Sequence, residues 1–384
     1  MRNWSTARVS ELIDRKVIEI GDGYRAKNSE LGASGLPFVR AGNIENGIKV
    51  QGADHLLIER LPYAKGKTSR ANDVVFTSKG TVGRIALVPD GMAEFVYSPQ
   101  LCFWRVLDRS VLDPRFIYYW FVSPDGQAQL AALKDQTDMA PYVSLRDQRT
   151  IRITFPSTHT QRKISEVLGA LDEKIDLNRR TSATAEQLSR AYFANAAASA
   201  PYGVVSDLVE LVVERASGAE NSDKYVGLED MPSWSIDLGT HRSGNEVTSS
   251  IVRFRKGDIL FGAMRPYFAK VGLAQFDGIT RTTTFVLRPQ SAHSRIPALL
   301  WLASPEAIDY ATSASVGSTI PYVRWEALAA MRAPLLDGTL IARLTAVVGP
   351  LLELIETNAR ENRVLAQLRD ALLPELISGR MTVN

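Results

Sequence analysis

The sequence predicts an α+β chain built twice over. Two similar β-rich domains are each followed by a long helix, and the helices pair as an antiparallel coiled coil in a pseudo-two-fold internal repeat. Three observations predict it. Two segments, TQRKISEVLGALDEKIDLNRR from Thr160 and LIARLTAVVGPLLELIETNAR from Leu340, align at a constant offset of 180. Inside each, apolar residues recur every three and four positions, the signature of one helix face. Ahead of each lie short apolar runs punctuated by Gly, Pro, Asn and Asp, the pattern of strands. A length of 384 residues gives a soft expectation of two to three domains.

The first domain is expected over 1–156 and its helix over 157–200; the second domain follows over 201–337, and its helix with a C-terminal tail over 338–384. Val9-Ser10-Glu11-Leu12 matches Val205-Ser206-Asp207-Leu208. The run NDVVFTSKGTVGRIALV from Asn72 matches GDILFGAMRPYFAKVGLA from Gly257: a polar turn, a strand, a loop with Gly and Arg, and another strand. Strands are expected at Val74–Phe76, Ile85–Val88, Leu101–Val106, Ile259–Phe261, Val271–Leu273 and Thr284–Leu287, and short helices at Arg115–Val122 and Ile296–Ala303. Pro141-Tyr142-Val143 and Pro321-Tyr322-Val323 repeat at the same offset of 180.

On the helices, Ile164, Val167, Leu168, Leu171, Ile175 and Leu188 form one seam; Leu344, Val347, Val348, Leu351, Ile355, Leu365, Leu368 and Leu372 form the other. Leu171, Ile175, Asn178, Leu351, Ile355 and Asn358 are therefore the expected contacts between helices or to a partner. Asn178 and Asn358 hold equivalent places near the seam, where they either fix register from a buried position or face solvent. Pro350 stands where the first copy has Ala170, so the second helix either kinks there or begins there. Pro374 is expected to break it, letting a tail bearing Leu372, Leu373, Leu376 and Ile377 turn onto the first domain.

Composition narrows the function. Hydrophobic residues make up 45% and charged residues 23%, which excludes a disordered or collagenous chain. The lone Cys102 excludes an intrachain disulfide and a cysteine-based zinc site, and it sits in an apolar run. His55, His159, His241 and His293 lack ligand spacing, so no metal is expected. No run reaches the ~18 consecutive apolar residues of a membrane helix, and the N-terminus lacks the apolar core of a signal peptide. The expected compartment is the cytoplasm. Gly66-Lys67-Thr68 has Leu61 where a phosphate loop needs its first glycine. Asp172-Glu173-Lys174 falls inside the helical repeat, where charges flanking a seam explain it better than nuclease chemistry. No methyltransferase motif is present, so the chain is not expected to be an enzyme. Net charge is only +3, so nucleic-acid binding needs local patches. Residues 60–72 carry Arg60, Lys65, Lys67 and Arg70 without an acid, and residues 259–305 carry Arg265, Lys270, Arg281, Arg288 and Arg295 against Asp277. Each patch is either a solvated surface loop or a site for nucleic acid.

The run TQRKISEVLGALDEKIDLNRR, with the ending LRDALLPELISGR from Leu368, resembles the two conserved regions of type I restriction-modification specificity subunits. The order of parts is similar too: variable domain, long helix, variable domain, long helix. The resemblance implies that each variable domain is a target-recognition domain reading one half of a bipartite, asymmetric double-stranded DNA site. It implies that the helices set the spacing and dock two adenine methyltransferase subunits, with restriction subunits joining through them. S-adenosylmethionine, ATP and Mg are then expected on those partners, with none bound by this chain. Under that resemblance, DNA contacts are expected at Thr77, Ser78, Lys79 and Arg84 in the first domain and at Arg265, Tyr267, Lys270 and Arg281 in the second. Arginine suits guanine edges, while lysine and hydroxyls suit phosphates. Tyr142 with Arg146, and Tyr322 with Arg324, are a second tier whose rings either bury structurally or face DNA. A coiled-coil adaptor that binds no DNA is the alternative reading.

Overall fold

The computed structural model describes residues 4–45, 47–134, 141–216, 223–247 and 250–383. The chain forms two compact units, residues 1–173 with 365–384 and residues 174–364. Both long helices, Thr158–Ala197 and Gly338–Ile377, contribute one part to each unit.

In the first unit an antiparallel four-stranded sheet runs in the order Ile18–Asp22, Leu101–Val106, Val74–Thr77, Ile85–Leu87. The residues Val74–Thr77 are all buried, so this strand reads as an unbroken apolar run. Trp104 and Phe76 from this sheet pack with Phe116, Trp120 and Phe121 of the helix Pro114–Val122 in one core. Asp113 caps that helix by accepting from the Phe116 N–H at 2.9 Å, and proline occupies its first turn. A two-stranded ladder, Ser5–Arg8 with Arg152–Phe155, completes this layer.

The second unit repeats the plan. Its sheet runs Val209–Leu211, Thr284–Pro289, Ile259–Gly262, Val271–Leu273, again antiparallel throughout. Tyr202–Val204 pairs with Arg332–Pro334. The Val9 N–H donates to Ile151 O at 2.9 Å, and the Val205 N–H donates to Met331 O at 2.9 Å, so the matched sequences make matched contacts. The smaller sheets differ. The first unit has four short strands, Leu31–Gly32, His55–Leu56, Leu36–Val39 and Val96–Tyr97; the second has five, from Arg215–Ala216 to Arg242–Ser243.

One repeated device escaped the sequence reading. In the first unit Arg105 grips Asp73 through two bonds, Nε–Oδ1 at 2.7 Å and Nη2–Oδ2 at 2.6 Å, and the Tyr97 hydroxyl donates to the same carboxylate at 2.8 Å. In the second, Arg288 grips Asp258 at 2.9 and 2.8 Å. Both aspartates are buried. Each also accepts from the backbone three residues earlier, Arg70 N–H and Arg255 N–H. A buried carboxylate needs this full set of donors.

The long helices antipair inside each unit. In the second unit, Asn178 Nδ2 donates to Asn362 Oδ1 at 3.0 Å and to Glu361 Oε2 at 2.8 Å, while Asn358 Nδ2 donates to Ser182 Oγ at 3.1 Å. Rising numbers on one helix meet falling numbers on the other. Asn178 and Asn358 are 3% and 6% exposed, so both are buried seam residues. The Asn178 amide, and then Lys174, hold the Glu361 carboxyl below its usual range. In the first unit Arg369 Nη1 donates to Asp172 Oδ1 at 2.8 Å, and Leu373, Leu376 and Ile377 share the core with Ile164 and Leu168. The C-terminal end thus packs on the first unit.

Two helix expectations need correction. The second helix neither begins at Pro350 nor ends at Pro374; it runs from Gly338 to Ile377. It stops where Gly379 takes left-handed backbone (φ 70°) and its N–H bonds Leu376 O. This helix is also long and apolar enough, by length and composition, to cross a membrane, with a mean hydropathy of 1.6 over an 18-residue stretch. Arg343 and Glu353 interrupt it, so it holds no run of ~18 consecutive apolar residues. Leu344, Val348 and Ile355 are buried within the second unit's own clusters.

Candidate nucleic-acid interface

Each central sheet presents a loop between its two last-paired strands, and each loop is tied to a Pro-Tyr segment. In the first unit Lys79 bridges Tyr142, the Gly80 N–H donates to Pro141 O at 3.3 Å, and the Val143 N–H donates to Ser78 O at 3.0 Å. In the second Met264 bridges Tyr322, the Arg265 N–H donates to Pro321 O at 2.7 Å, and the Val323 N–H donates to Ala263 O at 2.9 Å. The same backbone is built twice with different side chains.

The loops turn at left-handed residues. The first uses Gly80 (φ 74°) and Gly83 (φ 98°), where glycine lacks the clashing Cβ. The second uses Arg265 (φ 48°) and Ala269 (φ 50°) at the matching corners. A non-glycine residue there costs roughly 1–2 kcal/mol. The fold holds Arg265 in a strained place with its side chain exposed.

The expected contact residues divide into two groups. Lys79 lies with Nζ 4.7 Å from the centre of the Tyr142 ring, and burial pushes the Tyr142 phenol above its usual range. Arg146, Arg265, Arg281 and Arg324 are exposed and make no ion pair among the described residues. Tyr267 and Tyr322 are exposed as well.

Of the others, Arg84 is exposed and Lys270 half-buried, while two hydroxyls lie inside the loop, away from the expected surface. Thr77 and Ser78 are buried: the Thr77 hydroxyl donates to Thr81 O and accepts from the Arg84 N–H, and the Ser78 hydroxyl donates to Gln100 O at 3.3 Å. They shape the loop from inside. Arg84 spends a guanidinium N–H on Ile44 O at 3.3 Å, and Lys270 spends its ammonium on Leu228 O. These two matched residues tie each loop to its own unit. Both basic patches are also partly neutralised, Lys67 by Asp22 at 2.6 Å and Arg288 by Asp258. Two aromatic residues went unnoticed in the sequence. Phe268 is exposed beside Tyr267, and Trp234 is exposed with left-handed backbone (φ 57°), its N–H bonded to Ala269 O. No spacing signal marks either.

On the helices Ile175, Asn178, Ile355 and Asn358 are buried, while Leu171 and Leu351 are half-buried. In the second unit Leu177, Leu188, Leu351 and Leu354, with Thr181 and Thr184, line an apolar groove of about 360 Å³.

Residues 1–187 match the family described as the type I restriction modification DNA specificity domain. That segment is just under half of the chain, and through it the chain is similar to the type I restriction-modification specificity family. A curated relative, the type I restriction enzyme HindI specificity subunit of Haemophilus influenzae, is 22% identical over 185 residues, covering 47% of this chain. The matched stretch spans 40% of that relative's length. The crystal structure of a type I restriction-modification system S subunit from M. genitalium shares the fold, with a TM-score of 0.62, 15% identity, and coverage of 98% of this chain and 96% of that one. The specificity-domain match ends inside the first long helix. The second unit's matching sheet and loop extend the same plan beyond it.

Proposed function

We propose that this chain is the non-catalytic DNA-reading subunit of a type I restriction-modification complex and recognises a bipartite, asymmetric double-stranded DNA site. The observation that carries the reading is the loop pair built twice on one backbone plan and furnished differently: Lys79 over Tyr142 in one unit, Arg265 beside Tyr322 in the other. Loop cations held by a paired backbone suit guanine edges and phosphates. Different residues at equivalent positions suit two unlike half-sites.

In this reading two adenine methyltransferase subunits dock on the long helices, and restriction subunits join through them. The exposed leucines of the groove, Leu177, Leu188 and Leu354, support a protein partner there, because a solvated helix face rarely gathers such residues. S-adenosylmethionine, ATP and magnesium belong to the partners, and the complex works in the cytoplasm.

The test is binding of the full chain, with and without its methyltransferase partner, to duplexes carrying the methylated motif of its host. Specific binding that weakens steeply with salt is expected. Copurification with a methyltransferase but no DNA preference would favour a scaffold instead.

A further inference from the structure

The loop of the second unit carries more than a cation. Between its two strained corners lies one tight turn, Pro266–Phe268. Tyr267 and Phe268 are each 44% exposed, with ring centres 4.7 Å apart. The turn is pinned on every side: the Arg265 N–H bonds Pro321 O at 2.7 Å, the Phe268 N–H bonds Arg265 O at 3.0 Å, the Ala269 N–H bonds Pro266 O at 2.7 Å, and the Trp234 N–H bonds Ala269 O at 2.9 Å. The turn also packs on the helix Pro305–Ser313, and both rings keep a little under half of their surface open to solvent.

We propose that this turn is an aromatic wedge that enters the stack of double-stranded DNA at the half-site read by the second unit, opening one base step. The proposal rests on the reading of the chain as a DNA specificity subunit. Apolar side chains inserted between base steps partly unstack them and kink the duplex. Strained, non-glycine backbone that the surrounding structure enforces is where such function is expected. The charge around the turn favours a polyanion as occupant. Arg265 forms its first corner, and Arg324 lies two residues beyond Tyr322, which bridges Met264; neither arginine makes an ion pair among the described residues. The first unit has Thr81 and Val82 between its glycine corners, so it carries no aromatic pair there. The distortion then belongs to one half-site only.

The experiment uses the full chain without catalytic partners, so that no base flipping contributes, and duplexes of the mapped site with 2-aminopurine placed in turn through the second half-site. Wild type should raise the fluorescence several-fold at one step. Tyr267→Ala with Phe268→Ala should abolish that rise and weaken binding at least tenfold, while Phe268→Tyr retains both. An abasic residue at the opened step should tighten wild type at least fivefold and leave the double variant unchanged. Site-specific binding with flat fluorescence at every step, or equal tightening of both proteins, overturns the wedge and leaves DNA reading intact. Unchanged DNA affinity in the double variant with loss of methyltransferase copurification reassigns the pair to protein docking. Absence of any salt-dependent preference for the mapped site overturns the DNA reading itself.

Discussion

In the proposed reading, Arg265 is a residue at which stability and function pull in opposite directions. Its left-handed backbone is cheap only for glycine, and the matching corner of the first unit is Gly80. Arg265→Gly should stabilise the chain by about 1 kcal/mol, read as a higher denaturant midpoint, while weakening DNA binding. A variant that loses stability would contradict the strain at this corner, and one that binds as tightly as wild type would remove Arg265 from the interface. Asp73 gives a second test at this scale. Asp73→Ala leaves Arg105 buried without its carboxylate and should cost about 3–5 kcal/mol. Breaking the exposed Lys49–Glu45 pair should cost well under 1 kcal/mol. Both are measurable by urea unfolding. Sequence pattern singled out the Asp-bearing turns, NDVVF and GDILF, because they repeat. It did not show their arginine partners, which stand about thirty residues away on another strand. Thr77 and Ser78 were misplaced for a related reason. A hydroxyl beside a glycine loop reads the same whether it faces water or turns to its own backbone.

At the scale of elements, the helices were the most legible part of the chain, because a long 3.6-residue period has few alternatives. Their burial was less so. Ile175 and Ile355 lie in the interior, so charging them unfolds the pair and says nothing about partners. Leu177, Leu188 and Leu354 are exposed and make the cleaner test. Changing all three to Asp should leave helicity and DNA binding in place while methyltransferase copurification falls at least tenfold. Full copurification would place the partner elsewhere. Spacing is tested by lengthening both helices together. Insertion in one alone would slip the ladder of Asn178, Ser182, Asn358 and Asn362. Seven residues in each, placed beside Thr184 and opposite it on the second helix, add about 10 Å. The gap between half-sites should widen by about three base pairs at ~3.4 Å each, with both half-sites unchanged. An unchanged gap would mean that the helices do not set it. Short strands such as Leu31–Gly32 and Lys224–Tyr225 were not legible, since two residues carry no period.

At the scale of the whole molecule, the repeat is the central fact. The offset of 180 seen in the helices recurs in the Pro-Tyr segments, and the sheets that hold those segments share one strand order. In the proposed reading, two readers on one plan account for a scaffold that matches while the loop residues diverge. Replacing residues 1–156 with the first variable domain of another family member should therefore change one half-site and spare the other. The most direct measurement is a genome-wide map of methylated adenines in the host with this gene present and with it deleted. The account expects one asymmetric two-part motif, methylated throughout the genome, to lose its methylation on deletion and to regain it when the gene is restored. An identical methylation map in both strains would contradict it.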